Sequence, residues 1–117
     1  MPGHNQPRLT VRFYATTSAS EPVREWLLAL SQDDRRTVGE DIRTVQFVWP
    51  LGMPLVRKLE PGLWEVRSQL RGSIARVLFT TMGQTIVLLH GVIKKRQKLA
   101  ASDLDLARRR MREVRND

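Results

Sequence analysis

The sequence predicts an α+β domain in the order β-α-α-β-β-β-α, with a mainly antiparallel sheet, an N-terminal helical hairpin and a C-terminal helix. Two observations predict it. Residues 63–90 hold three runs of β-forming residues separated by two tight-turn signals, which is a meander. Residues 22–49 and 104–114 instead carry apolar residues three and four apart, the spacing of helices with one buried stripe.

Residues 1–8, with Gly3, Asn5, Pro2 and Pro7, read as a disordered start, and residues 9–117 as a single domain. Leu9 to Tyr14 is a short strand with Val11 and Phe13 on one face. Ser20-Glu21-Pro22 opens the first helix, because Ser can cap it and Pro fits its first turn. Val23, Trp26, Leu27 and Leu30 form its apolar stripe. After a short break at Ser31-Gln32, Asp33 and Asp34 suit a helix N-terminus, where acids complement the dipole. Val38, Ile42, Val45 and Trp49 mark the buried side of this second helix, and Pro50 ends it.

Residues 51–62 hold two glycines and two prolines around Val56-Arg57-Lys58-Leu59, and read as a loop with a brief extended piece. In the meander, Trp64, Val66 and Leu70 alternate with Glu65, Arg67 and Gln69. Arg71-Gly72-Ser73 turns the chain into Ile74–Thr81. Met82-Gly83-Gln84 turns it again into Thr85–His90, a strand so apolar that it belongs in the sheet interior, covered on both faces. Ser102 with Asp105 resembles a capping box. It opens a last helix with Leu104, Ala107, Met111 and Val114 on one side and Arg108, Arg109, Arg110 and Arg112 on the other. The helices are expected on one face of the sheet.

Composition narrows the function. The chain has 117 residues, enough for one core. There is no cysteine, which removes disulfides, thiolate catalysis and cysteine zinc sites. No apolar run reaches membrane-spanning length and the start lacks a signal-peptide core, so a soluble, cytoplasmic protein with no membrane partner is expected. The net charge of +8 points to an anionic partner. Nearly all of it lies between residues 51 and 98, where nine cations face only Glu60 and Glu65. The flanking parts are close to balanced, so the charge belongs to the meander and its exit.

The two histidines, His4 and His90, are far apart in sequence, and no cofactor or metal is expected. The basic residues remain. Arg67 points opposite to Trp64 and Val66, while Arg76 interrupts an apolar strand, which is costly unless it is paired or faces a cleft. An ion pair with Glu65 or a helix acid is one reading of Arg76; contact with a phosphate is the other. Lys58 before the meander, and Lys94, Lys95 and Lys98 after it, could close round the same sheet face. Such a pocket could cleave RNA without metal. The ribose 2′-hydroxyl supplies the nucleophile, arginines hold the phosphate, and a lysine among other cations, or His90, moves protons. A backbone-bonded structural role is the alternative for His90. Tyr14, Trp26, Trp49 and Trp64 sit on or beside apolar stripes and read as core.

The segment VQFVWPLGMPLVRKLEPGLWEVRSQLRGSIARVLF, then LLHGVIKKRQK and SDLDLARRR, resembles the HigB branch of the RelE-like toxins of type II toxin–antitoxin systems, a branch with phage-derived members. The likeness spans about Val11 to Val114. It implies a curved antiparallel sheet, cleavage of mRNA on the ribosome, and neutralisation by a cognate helix-turn-helix, HigA-like antitoxin. By motif, the family's basic residues fall on Arg67 in LWEVR, Arg76 in ARVLF and Lys94, Lys95 and Lys98 in IKK-x-QK, with Lys58 in VRKL a looser match. Arg57, Arg71 and Arg96 are added as substrate-binding cations. Two departures are Val48 where the family often has Gly, and Leu99-Ala100 where it often has Thr-Pro. Relatives with this fold that poison DNA gyrase, and a plain RNA-binding module, are the competing readings. No run of exposed aromatics favours the last.

Overall fold

The computed structural model describes residues 6–95 and 98–116. Strand β1 (Thr10–Phe13) is followed by helices α1 (Pro22–Ala29) and α2 (Gln32–Val48), then by β2 (Val56–Glu60), β3 (Leu63–Leu70), β4 (Ser73–Met82), β5 (Thr85–Lys94) and α3 (Ala101–Asn116). The strands form one mixed sheet in the order β1-β5-β4-β3-β2. Only β1 runs parallel to its neighbour, β5; the other pairs are antiparallel.

The α+β class, the meander and the stripes of α2 and α3 are as the sequence predicts, and four details differ. Residues 56–60 are a full strand, because the glycines and prolines of the 51–62 segment bracket it without interrupting it. β2 is an edge strand with Arg57 and Lys58 exposed, the charged edge that discourages sheet-to-sheet association. Second, β5 continues past His90 to Lys94. Gly91 does not stop the strand: a side chain there would overlap the Trp26 ring of α1, so glycine permits that close approach.

The third difference is the largest. The helices cover both faces of the sheet. α1 and α2 enclose Val66, Ala75, Val77, Phe79, Ile86 and Leu88 on one side. α3 encloses Leu63, Leu78, Val87 and Leu89 on the other, with Tyr14. The reason is legible in β4, where every residue from Ile74 to Thr80 is buried, so neither face can be left to water. Fourth, the caps differ. Ser31 caps α2 by accepting from the Asp34 amide at 3.2 Å, whereas Glu21 occupies the α1 cap position without a side-chain bond. α3 starts at Ala101, which places Ser102 inside its first turn.

The aromatic residues are core. Trp49 meets Trp64 edge-on with centroids 5.1 Å apart, and Trp64 stacks on Phe79 at 5.9 Å. Tyr14 donates to the Glu113 carboxylate at 3.0 Å. Two arginines assigned to the outer face of α3 are turned inward. Arg110 donates to the Leu89 carbonyl at 2.8 Å and lies over the Tyr14 ring, and Arg108 pairs with Glu60 at 2.9 Å. Among the described residues, no helix is long and apolar enough to cross a membrane.

Candidate functional site

Strand register decides which basic side chains meet. On the α3 side of the sheet, one rung across four strands reads Arg57, Glu65, Leu78 and His90. The next reads Arg67, Arg76 and Val92, and the third reads Gln69, Ile74 and Lys94. Residues two apart on a strand share a face. Arg57, Arg67, Arg76, His90 and Lys94 therefore come together beside the apolar stripe of α3.

The centre of this cluster is inside the protein. Glu65 and Arg76 are both completely buried, and Arg76 Nη1 donates to Glu65 Oε1 at 2.8 Å. Arg67 lies with its Nε 3.6 Å from the same oxygen and is itself only 9% exposed. Burial pushes the Glu65 carboxyl above its ordinary value, and Arg76, Arg67 and Arg57 pull against that rise. Of the two readings that the sequence allows for Arg76, the structure has the ion pair with Glu65 and no open cleft around the guanidinium.

The rim is more accessible. His90 Nε2 is 2.8 Å from Asp103 Oδ1, and Lys94 Nζ is 3.3 Å from Asp103 Oδ2, so one carboxylate at the start of α3 holds two β5 side chains. Burial alone would raise Asp103. The contacts from His90 and Lys94 outweigh it and hold the carboxyl below the usual carboxylate range. Arg57, Lys58 and Lys98 line a groove of about 240 Å³ between β2 and α3, over Leu59, Leu99 and Leu104.

The remaining assignments separate. Lys95 is exposed just beyond β5. Arg71 sits at the β3–β4 turn, lining a hollow with Asp33 and Asp34 of α2, away from His90 and Asp103. Arg96 lies outside the described residues. Sequence reasoning offered Glu65 as one possible ion-pair partner of Arg76, which the structure has, and missed Asp103. Glu65 carried a signal, being one of two acids in a basic stretch and in phase with Arg67. Asp103 carried none, since an acid in a first turn is ordinary.

Chemically, the arrangement offers a cationic rim over a charged, rigid floor, with a carboxylate-held imidazole at the edge. It fits an anionic substrate and a proton transfer through the imidazole. The family model described as phage-derived protein Gp49-like (DUF891) matches residues 25–112, from α1 into α3 and across every residue of the cluster. No curated protein matches the chain.

Proposed function

Because the chain belongs to the phage-derived Gp49-like family, a family of toxin–antitoxin toxins within the RelE-like group, we propose that it is a HigB-type endoribonuclease toxin that cleaves mRNA on the ribosome in the cytoplasm. Its cognate antitoxin is a helix-turn-helix, HigA-like protein. The observation that carries this reading is the register that aligns Arg57, Arg67, Arg76, His90 and Lys94 on one sheet face.

In this mechanism the RNA supplies its own nucleophile, and the protein orients the bond, stabilises charge on the phosphoryl oxygens and moves protons. Arg57, Lys94, Lys98 and Lys95, exposed or half-exposed, are the cations that meet phosphates, with Lys58 beside Arg57 and Arg71 more remote. Arg67 and Arg76, tied to Glu65, act from beneath as the positively charged floor that fixes the rim. His90 is the proton acceptor. No metal enters any step.

The test is cleavage by the purified chain of an mRNA oligomer programmed on ribosomes, beside the same oligomer carrying one 2′-deoxy sugar. Cleavage with a 2′,3′-cyclic phosphate end, abolished at the 2′-deoxy position, is expected. In cells, induction should arrest growth and create new internal mRNA ends. Arrest with intact mRNA and a DNA-damage response would replace the nuclease by a gyrase poison.

A further inference from the structure

Asp103 stands outside the basic motifs, yet it touches two members of the cluster at once, as Glu65 does deeper in the sheet face. It is 13% exposed, lies in the first turn of α3, and gives one carboxylate oxygen to His90 at 2.8 Å and the other to Lys94 at 3.3 Å. A first-turn acid usually faces solvent and interacts with its own helix. This one is turned onto the neighbouring strand. An ionised carboxylate can only accept hydrogen bonds, so the ring nitrogen facing it must carry the hydrogen. That nitrogen is Nε2. In the neutral ring the lone pair is then on Nδ1.

We infer that Asp103 is a positioning residue that holds His90 as its Nε2–H tautomer, making Nδ1 the base for the ribose 2′-hydroxyl; this rests on the RNA-cleaving reading above. The 2′-O–H bond breaks and its proton passes to Nδ1. The 2′-oxygen bonds to phosphorus as the bond from phosphorus to the 5′-oxygen breaks. The departing oxygen takes a proton from water, and the imidazolium returns its own to solvent. The products are a 2′,3′-cyclic phosphate and a 5′-hydroxyl end. His90 keeps 17% of its side-chain surface exposed. The other charged groups on its sheet face are Lys94 on β5, Arg76 on β4, Glu65 and Arg67 on β3, and Arg57 on β2. Among these groups, Asp103 is the anion at hydrogen-bond distance from the ring.

A merely structural Asp103 would tie α3 to β5 and nothing more. Asp103→Asn separates the two roles, because it keeps the shape and removes the charge that dictates the tautomer. The ring nitrogens of His90 are followed by ¹⁵N NMR in the full chain, and single-turnover RNA cleavage is measured on the same samples. In the native chain the neutral ring should show Nε2–H. In Asp103→Asn the Nδ1–H form should appear and kcat fall by roughly tenfold to a hundredfold, less than the roughly 10²–10⁴-fold of a whole general base because part of the ring population keeps the productive tautomer. KM should hold and the melting temperature change by no more than a few degrees. His90→Ala should lower kcat at least as far. Three results overturn the inference: an Nδ1–H ring in the native chain, an unchanged kcat in a folded Asp103→Asn variant, or a fallen kcat with the tautomer unaltered. A native chain that cleaves no RNA overturns the functional reading as well, and so is distinguished from a failure confined to Asp103.

Discussion

Replacing Arg76 by alanine removes one half of a completely buried ion pair and leaves Glu65 inside the sheet face. Breaking such a pair from one side costs about 3–5 kcal/mol, because the remaining charge has no water to return to. Here the lower end applies, since Arg67 stays 3.6 Å from the same carboxylate oxygen. For a domain of this size, a loss of about 3 kcal/mol lowers the melting temperature by roughly 10–15 °C. The loss should shrink in acid. Burial holds the folded carboxyl of Glu65 above its ordinary value, so its protonated form is compatible with the fold. A carboxyl raised in this way favours the native state below its unfolded pKa, and that contribution is lost as pH rises through the folded pKa. Arg76→Ala removes one of the charges pulling Glu65 down, raises it further, and should therefore be least harmful where Glu65 is protonated. Paired leucines at 65 and 76 should recover most of the stability, as apolar replacement of a whole buried pair is often neutral or better. The assay is thermal unfolding of the three proteins at acid and neutral pH, with RNA cleavage measured well below each melting point. An Arg76→Ala protein melting within about 2 °C of the native chain would refute this account and return Arg76 to an open, phosphate-facing role. In that role the variant would stay folded and lose roughly a hundredfold in cleavage.

Gly91→Ala should cost about 1–3 kcal/mol by overpacking against Trp26, and adding Trp26→Leu should relieve part of it, read by chemical denaturation. Asp103 is held below the usual carboxylate range, so its contribution to stability is present above its unfolded pKa and lost as pH falls through the folded value; Asp103→Asn should flatten the acid limb of the stability curve. Arg57→Ala and Lys98→Ala should each weaken RNA binding, reduce its salt dependence by about one counterion, and leave the melting temperature nearly unchanged, since both side chains are exposed. The antitoxin should cover the rim, so that hydrogen exchange or a structure of the complex finds Arg57, Lys94 and Lys98 protected. If all three stay fully exposed, neutralisation works by blocking ribosome entry and not by masking.

What the sequence revealed follows from which interactions are periodic. The stripe Val38, Ile42, Val45 and the alternation of Trp64 and Val66 with Glu65 and Arg67 are local patterns, and they placed α2 and β3 correctly. Alternation assigned strand faces to Arg67 and Arg76, but not to His90 and Lys94: a bulge in β5 brings both Leu89 and His90 to the α3 side, and alternation does not report it. The helices were expected on one face, although the apolar run of β5, read as covered on both faces, already called for cover on the other. β2 was hidden by its flanking glycines and prolines. Asp103 was invisible because its partners come from a strand that precedes it by nine to thirteen residues, and no periodicity reports where a helix will dock.

Charge counting on the chain also misleads about where the cations work. Of the nine between residues 51 and 98, Arg76 and Arg67 are drawn to Glu65, and Lys94 is shared with Asp103. The arginines of α3, which look like a second basic surface, largely fasten the helix. Arg108 binds Glu60, Arg110 the Leu89 carbonyl and Arg115 the Thr80 hydroxyl at 2.8 Å. These side chains already hold protein acceptors, although Arg108 and Arg115 also reach solvent. Among the described residues, the cations left for a substrate are Arg57 and Lys58 at the β2 edge, Arg71 at the β3–β4 turn, and Lys95 and Lys98 after β5, with Lys94 half-committed. Arg57 and Lys58 stand on β2 and Lys94 on β5, strands of one sheet, while Lys95 and Lys98 follow β5. The paired arginines tie β2, β4 and β5 to α3, and on the proposed reading that frame sets the spacing at which Arg57, Lys58 and Lys94 meet successive phosphates.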